Sequence, residues 1–202
     1  LDRLGTDVID LYFAHKDDPE VPLDEMLGAF AELVDAGIVR AIGASNYSAG
    51  RLAEALRVAD DKGLPRFTAM QPELNLLDRD QYEGALQQLC IAEGLGVVTY
   101  FSLASGYLSG KYREPGDLGK SPRGARVKPY LEGRGPAVLA VMGAIAAETG
   151  ATLSQIALAW VAAQPGVTAP IASATTVAQL DELMGSLDLH LNDQQLAALS
   201  AA

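Results

Sequence analysis

The chain has 202 residues, 49% apolar and 20% charged, an ordinary globular composition long enough to bury roughly 70% of its unfolded surface. Its net charge of -11 disfavours nucleic acid and anionic membrane as partners. A single cysteine, Cys90, excludes an internal disulfide and points to a reducing, cytoplasmic setting; no apolar run approaches the ~20 residues of a membrane span, and no signal-peptide pattern opens the chain.

Val8 to Phe13 is short, apolar and β-branched near its start, which predicts a strand buried on both faces of a parallel sheet. His15 falls just past its carboxyl end. Apolar residues at Leu23, Met26, Leu27, Phe30, Leu33 and Val34 predict a helix over Leu23 to Asp35, with Gly37 as its stop. Val39 to Ala44 is the next strand. Ser48 is the N-cap expected for a helix through Leu52, Leu56 and Val58. Phe67 to Met70 is a short strand, Asp80 to Glu93 a helix stopped by Gly94, and Gly96 to Phe101 a strand.

Ser102 to Gly135 is rich in Gly, Pro and charge and reads mostly as a long loop. Pro136 suits the first position of a helix running to Glu148. Thr152-Leu153-Ser154-Gln155 matches a capping box and opens a helix through Ala163. Val167 to Ile171 is a last strand, Val177 to Leu187 a helix, and Asn192 caps a short final one. The alternation of five strands with helices implies α/β architecture, a parallel sheet and right-handed crossovers. In such sheets the carboxyl ends of the strands carry the chemistry, and a histidine there can donate a hydrogen bond to a carbonyl at neutral pH.

Several stretches in order carry a resemblance. They are Leu4-Gly5-Thr6-Asp7-Val8-Ile9-Asp10-Leu11-Tyr12, Ile42-Gly43-Ala44-Ser45-Asn46-Tyr47-Ser48, Gln71-Pro72-Glu73-Leu74-Asn75-Leu76-Leu77, Gly96-Val97-Val98-Thr99-Tyr100 and Leu108-Ser109-Gly110-Lys111-Tyr112. Together they resemble the aldo-keto reductase family of (β/α)8 TIM barrels, from its fourth strand to its closing helices. The resemblance implies a single domain over 1–202 that forms about five of eight βα units of an incomplete barrel. It also implies that three upstream units are absent, with the family's Asp, its proton-donating Tyr and the Lys that lowers that tyrosine's pKa. A piece lacking them is expected to be inactive as a reductase.

Each candidate has a structural and a functional reading. His15 is either a satisfied strand-end histidine or, by resemblance, the group that orients a substrate carbonyl. His190 reads as surface. Ser45, Asn46 and Gln71 follow strand ends and suit turns and caps; by resemblance they hold the carboxamide of a nicotinamide. Tyr100 is a core aromatic or a platform that stacks on the nicotinamide. The family's Ser-Pro-Leu after that aromatic is replaced by Phe101-Ser102-Leu103, so a pyrophosphate contact by Ser102 and Leu103 departs from the pattern.

The 102–135 segment carries Lys111, Arg113, Lys120, Arg123, Arg126, Lys128 and Arg134, seven of the chain's 15 basic residues. It is a solvated loop or an anion-binding one. The resemblance makes it a loop that covers a cofactor pyrophosphate, with Gly106, Leu108 and Lys111 as contacts. Ser173 to Thr176 precede a helix and serve as a plain cap or an anion site. By resemblance Ser173 and Thr175 approach an adenosine 2′-phosphate, while Gln179 and Glu182 lie on the adenine side and Leu183 replaces a common Asn. No basic residue follows Arg134, so NADP is implied and NAD is not excluded.

With two histidines and one cysteine, no metal site is expected. The implied partner is a small-molecule carbonyl, an aldehyde or ketone, reduced by hydride transfer; neither it nor the oligomeric state is legible. Two rivals remain: a nicotinamide-sensing regulatory module like the family's potassium-channel beta subunits, and an incomplete barrel without ligand function.

Overall fold

The computed structural model describes residues 1–120 and 124–202, with Lys120 known by its backbone alone. Arg123 and the Lys120 side chain, two of the seven basic groups counted above, lie outside the described residues. The chain divides into two compact units: Leu1–Pro72 with Gln81–Val98, and Glu73–Asp80 with Thr99–Ala202.

In the first unit β1 (Ile9–Ala14), β2 (Val39–Ser45), β3 (Phe67–Gln71) and β4 (Gly96–Thr99) follow one another in a parallel sheet in chain order. α1 (Leu23–Asp35), α2 (Ala49–Lys62) and α3 (Ala85–Ala92) connect them. Local chemistry accounts for the helix boundaries. Asp24 and Glu25 sit in the first turn of α1, where the macrodipole favours acids. The Gly37 N–H donates to Val34 O at 2.9 Å and Ile38 N–H to Leu33 O at 3.0 Å. That closure needs a left-handed residue, and Gly37 supplies it at φ +70°. At the start of α2, Arg51 N–H donates to Ser48 Oγ, as the cap reading requires.

Three expectations are corrected here. β1 is not buried on both faces: its residues alternate, Asp10 is exposed and Tyr12 is 43% exposed. Among the described residues β1 pairs only with β2, so it is an edge strand with no neighbour on its other side. The helix expected from Asp80 begins at Ala85, because Gly84 takes φ 91°, ψ -123° and interrupts it. β4 ends at Thr99 rather than at Phe101, because Phe101 turns left-handed at φ +52°.

In the second unit, the segment 102–135 is not mostly loop. It holds two 3-10 stretches, Ala104–Ser109 and Pro115–Lys120, and a helix, α4 (Gly124–Glu132). The Gly and Pro content hid α4, which is held by packing: Val127 is fully buried, and a Cβ on Gly124 would meet Leu118 O at 1.7 Å. α5 (Gly135–Thr149), α6 (Leu153–Ala162), β5 (Val167–Pro170), α7 (Val177–Met184) and α8 (Asp193–Ala201) complete the unit. The helix expected to reach Leu187 is α7 followed by a 3-10 turn, Gly185–Leu187.

The Ile171 N–H donates to Thr99 O at 2.7 Å. Both expected capping boxes form, Thr152 with Gln155 and Asn192 with Gln195. The core of the unit centres on Trp160, Met142, Val138, Ile156 and Leu199, all fully buried. Among the described residues no single helix is long and apolar enough to cross a membrane.

Candidate functional site

The first unit assembles a row of polar groups at the carboxyl ends of β1, β2 and β3. Parallel register sets Ala14 beside Ala44 and Ser45 beside Gln71, so the residues that leave the three strands emerge at one level. Asn46 leaves β2 in a left-handed turn, φ +58°, a conformation that Asn tolerates because its short amide bonds locally. Its Nδ2 donates to His15 O at 2.8 Å and to Ser45 Oγ at 3.1 Å. Ser45 Oγ donates in turn to Gln71 O at 2.9 Å. Ser45 is buried, Gln71 half-buried, and Asn46 and His15 exposed. A buried hydroxyl therefore anchors an exposed amide, which in turn holds the His15 backbone.

His15 also lines a cleft of about 360 Å³ with Tyr12, Phe13, Asp17, Tyr47 and Arg51. Sequence reading missed the ion pair beneath it: Arg51 Nε lies 3.0 Å from Asp17 Oδ1, and both are about four-fifths buried. The pair couples the residue two past His15 to the first turn of α2. Burial, then the Asp17 carboxylate, push the Tyr47 phenol above its ordinary range. Tyr47 therefore stays neutral beside the rim.

The second unit carries the other candidates. Tyr100 is half-buried, bridges in parallel to Glu73, and sets its ring edge-on to Phe101 at 5.1 Å. Burial, then Glu73, raise its phenol pKa. Burial, then Asp78, raise that of the Glu73 carboxyl. The Ser102 hydroxyl is buried and lies 3.2 Å from Thr99 Oγ1, so it faces inward. Leu103 O accepts from the N–H of Gly106 at 2.8 Å and of Leu108 at 3.2 Å. That tight turn buries Leu108 completely.

Gly106 and Lys111 come together. Gly106 sits at φ +92°, and a Cβ there would stand 3.1 Å from Lys111 Nζ. The ammonium, 5.1 Å over the Tyr112 ring, is thus held above a backbone that only glycine leaves open. Among the described residues, the other basic groups of the segment are dispersed. Arg134 donates to Leu76 O at 2.5 Å, and Lys128 faces Glu132 at 3.6 Å. Arg113 Nε donates to Gly110 O, and Arg126 lies 5.6 Å over the Phe101 ring.

At the start of α7 the Gln179 side chain folds back. Its Oε1 accepts from the Thr175 N–H at 2.9 Å and from Thr175 Oγ1 at 3.0 Å. Thr176 is the cap. The Glu182 carbonyl accepts from Gln155 Nε2. His190 is exposed. Among the described residues, no cluster of three or more His, Cys, Asp or Glu is arranged for a metal ion.

The model of the Aldo/keto reductase family matches residues 1–202. The aldo-keto reductase AFTS1 of Alternaria alternata is 32% identical over 205 residues, covering 100% of this chain and 54% of that protein. A probable voltage-gated potassium channel subunit beta of Oryza sativa subsp. japonica is 35% identical, covering 94% of this chain and 59% of its own length. A crystal structure of the thermostable aldo-keto reductase Tm1743 with the inhibitor epalrestat superposes with TM-score 0.79 at 30% identity. It covers 100% of this chain and 62% of that one. The chain thus spans little more than half the length of the curated relatives it matches.

Proposed function

The chain belongs to the aldo/keto reductase family, and we propose that it contributes the nicotinamide-binding and carbonyl-orienting part of an NADP-dependent oxidoreductase acting on an aldehyde or ketone. The observation that carries the reading is the bonded row His15 O, Asn46, Ser45 and Gln71 at the carboxyl edge of three parallel strands.

The donor chemistry fits a nicotinamide nucleotide. Ser45, Asn46 and Gln71 supply hydroxyl and amide groups, which match the mixed donor and acceptor of a carboxamide. Lys111 above Gly106 supplies a cation beside bare backbone, which suits a pyrophosphate. Tyr100 supplies an aromatic face. Ser173 and Thr175 offer hydroxyls toward a 2′-phosphate, and Gln179, already tied to Thr175, orders that turn. Glu182 lies one helical turn further on α7. When bound, the nucleotide supplies hydride.

The chain's own groups do the rest. The His15 imidazole donates to the carbonyl oxygen and fixes its orientation, the kind of preorganised donor that stabilises developing oxyanion charge. Asn46 holds the His15 backbone, so the imidazole starts from a fixed stem. Because the chain covers only part of its relatives' length, reduction is proposed of a protein that provides a proton donor besides these residues, in the cytoplasm.

The test is a titration with NADPH followed by carbonyl reduction in a full-length protein. NADPH should bind, and Asn46→Ala and Lys111→Ala should each weaken it. His15→Ala should lower carbonyl reduction by 10²-fold or more, on the order of the loss of one transition-state donor. Unchanged reduction in His15→Ala removes the assigned role. An absence of binding at millimolar NADPH removes the reading altogether.

A further inference from the structure

We infer that Tyr130, Asp78 and Asn75 form a positioning relay that couples helix α4 to the backbone turn carrying Tyr100. All of its members lie in the second unit. Tyr130, on α4, donates its hydroxyl to Asp78 Oδ2 at 2.6 Å. The same carboxylate oxygen accepts from Asn75 Nδ2 at 3.0 Å. Asn75 Nδ2 also donates to Phe101 O at 3.2 Å. Phe101 is the residue after Tyr100, and its left-handed φ of +52° aims the chain out of β4.

Three further observations support this coupling over ordinary packing. Asn75 is fully buried and its amide is fully engaged: Oδ1 accepts from the N–H groups of Leu77 and Asp78 at 2.8 and 2.9 Å. A residue so constrained transmits displacement instead of absorbing it. A left-handed aromatic costs on the order of 1–2 kcal/mol, so the turn at Phe101 persists only because its carbonyl is pinned. Asn75 pins it, and so does the Ala104 N–H at 2.7 Å. Finally, α4 reaches the same turn a second time, through Arg126 over the Phe101 ring. Burial, then Asp78, hold the Tyr130 phenol above its ordinary range. It therefore remains a donor through neutral pH.

The physical consequence is that docking of α4 and placement of the Tyr100 ring are one event. With α4 seated, Asn75 is held and the turn is fixed; with α4 released, Asp78 loses the Tyr130 hydroxyl and Phe101 O is less firmly held. That this sets the stacking platform for a nicotinamide rests on the function proposed above. Tyr130 and Asn75 are then positioning residues for the reaction, acting through Tyr100.

Amide hydrogen exchange on the full chain, without nucleotide, tests the relay. Tyr130→Phe keeps the ring and removes the hydroxyl. It should raise exchange in 124–132 and also at the Ala104 amide, each by roughly tenfold, the scale of one hydrogen bond to a charged acceptor. Asp78→Asn should do the same. Faster exchange in 124–132 with Ala104 unchanged overturns the coupling. Should Tyr130→Phe fail to fold, Asp78→Asn carries the same two outcomes.

Adding NADPH gives the arm that depends on function. In the parent chain it should protect 124–132 and Ala104 together; in Tyr130→Phe protection should become unequal, with faster NADPH release and a changed nicotinamide fluorescence. If the parent chain binds no NADPH, the function proposed above falls, while the nucleotide-free exchange still decides the relay.

Discussion

Replacing Asn46 separates two contributions that the structure combines at one residue. The side chain donates to His15 O and Ser45 Oγ at 2.8 and 3.1 Å, and the backbone stands at φ +58°. Asn46→Gly removes both bonds and leaves the backbone at ease. Because the residue is exposed, the two bonds together contribute about 1–2 kcal/mol. Asn46→Ala removes the same bonds but keeps a Cβ on a left-handed residue, so it lacks the ~1–2 kcal/mol of relief that glycine gains. In a chain of this size each kcal/mol lowers Tm by about 2–4 °C. Asn46→Ala should therefore melt roughly 2–8 °C below Asn46→Gly, and below the parent. Scanning calorimetry of the three proteins reads this directly. Equal melting of the Ala and Gly variants refutes the strain component, and an Ala variant as stable as the parent refutes the hydrogen-bond component.

The remaining predictions concern packing and titration. Gly43→Ala places a Cβ 2.5 Å from Phe13 Cε1 and should cost about 1–3 kcal/mol by overpacking; combining it with Phe13→Leu should recover much of that in chemical denaturation. Thr152→Ala removes the α6 capping box and should cost ~1 kcal/mol, measured the same way. Cys90 is fully buried, and burial pushes its thiol from 9.0 up to about 11. It should resist a thiol reagent in native buffer and react at once on unfolding. The unfolded chain loses that proton at lower pH than the folded one, so this group's contribution to stability is intact below about 9 and falls as pH rises toward about 11. A melting temperature flat over that window in the parent, or one falling equally in Cys90→Ala, would count against it.

Much of the fold was legible because its signals are local. Helix α1 falls on its expected bounds since six apolar positions at helical spacing end in a glycine that must turn left-handed. Ser48, Thr152 and Asn192 cap as expected since capping involves only three residues. What failed depended on distant neighbours. The exposure of Tyr12 reflects what lies beside β1. Helix α4 owes its order to Leu118 and a buried Val127, against a composition that favours loop. At the site, the row on β1, β2 and β3 was legible because the strand–helix rhythm fixes which residues emerge at the carboxyl edge. The Tyr130–Asp78 bond was not, since it joins residues 52 positions apart. Nor did sequence show that Arg134 engages backbone carbonyls while Lys111 stands over Gly106.

The chain's single tryptophan, Trp160, is fully enclosed. Its indole nitrogen donates to Ser200 Oγ at 3.0 Å, and the Arg79 guanidinium lies 5.3 Å over its ring. Ser200 is on the last helix and Arg79 belongs to the segment after β3, so one chromophore touches two distant stretches of sequence. Its emission is consequently a built-in optical gauge: a red shift marks the moment α8 lifts away, with no dye or label attached.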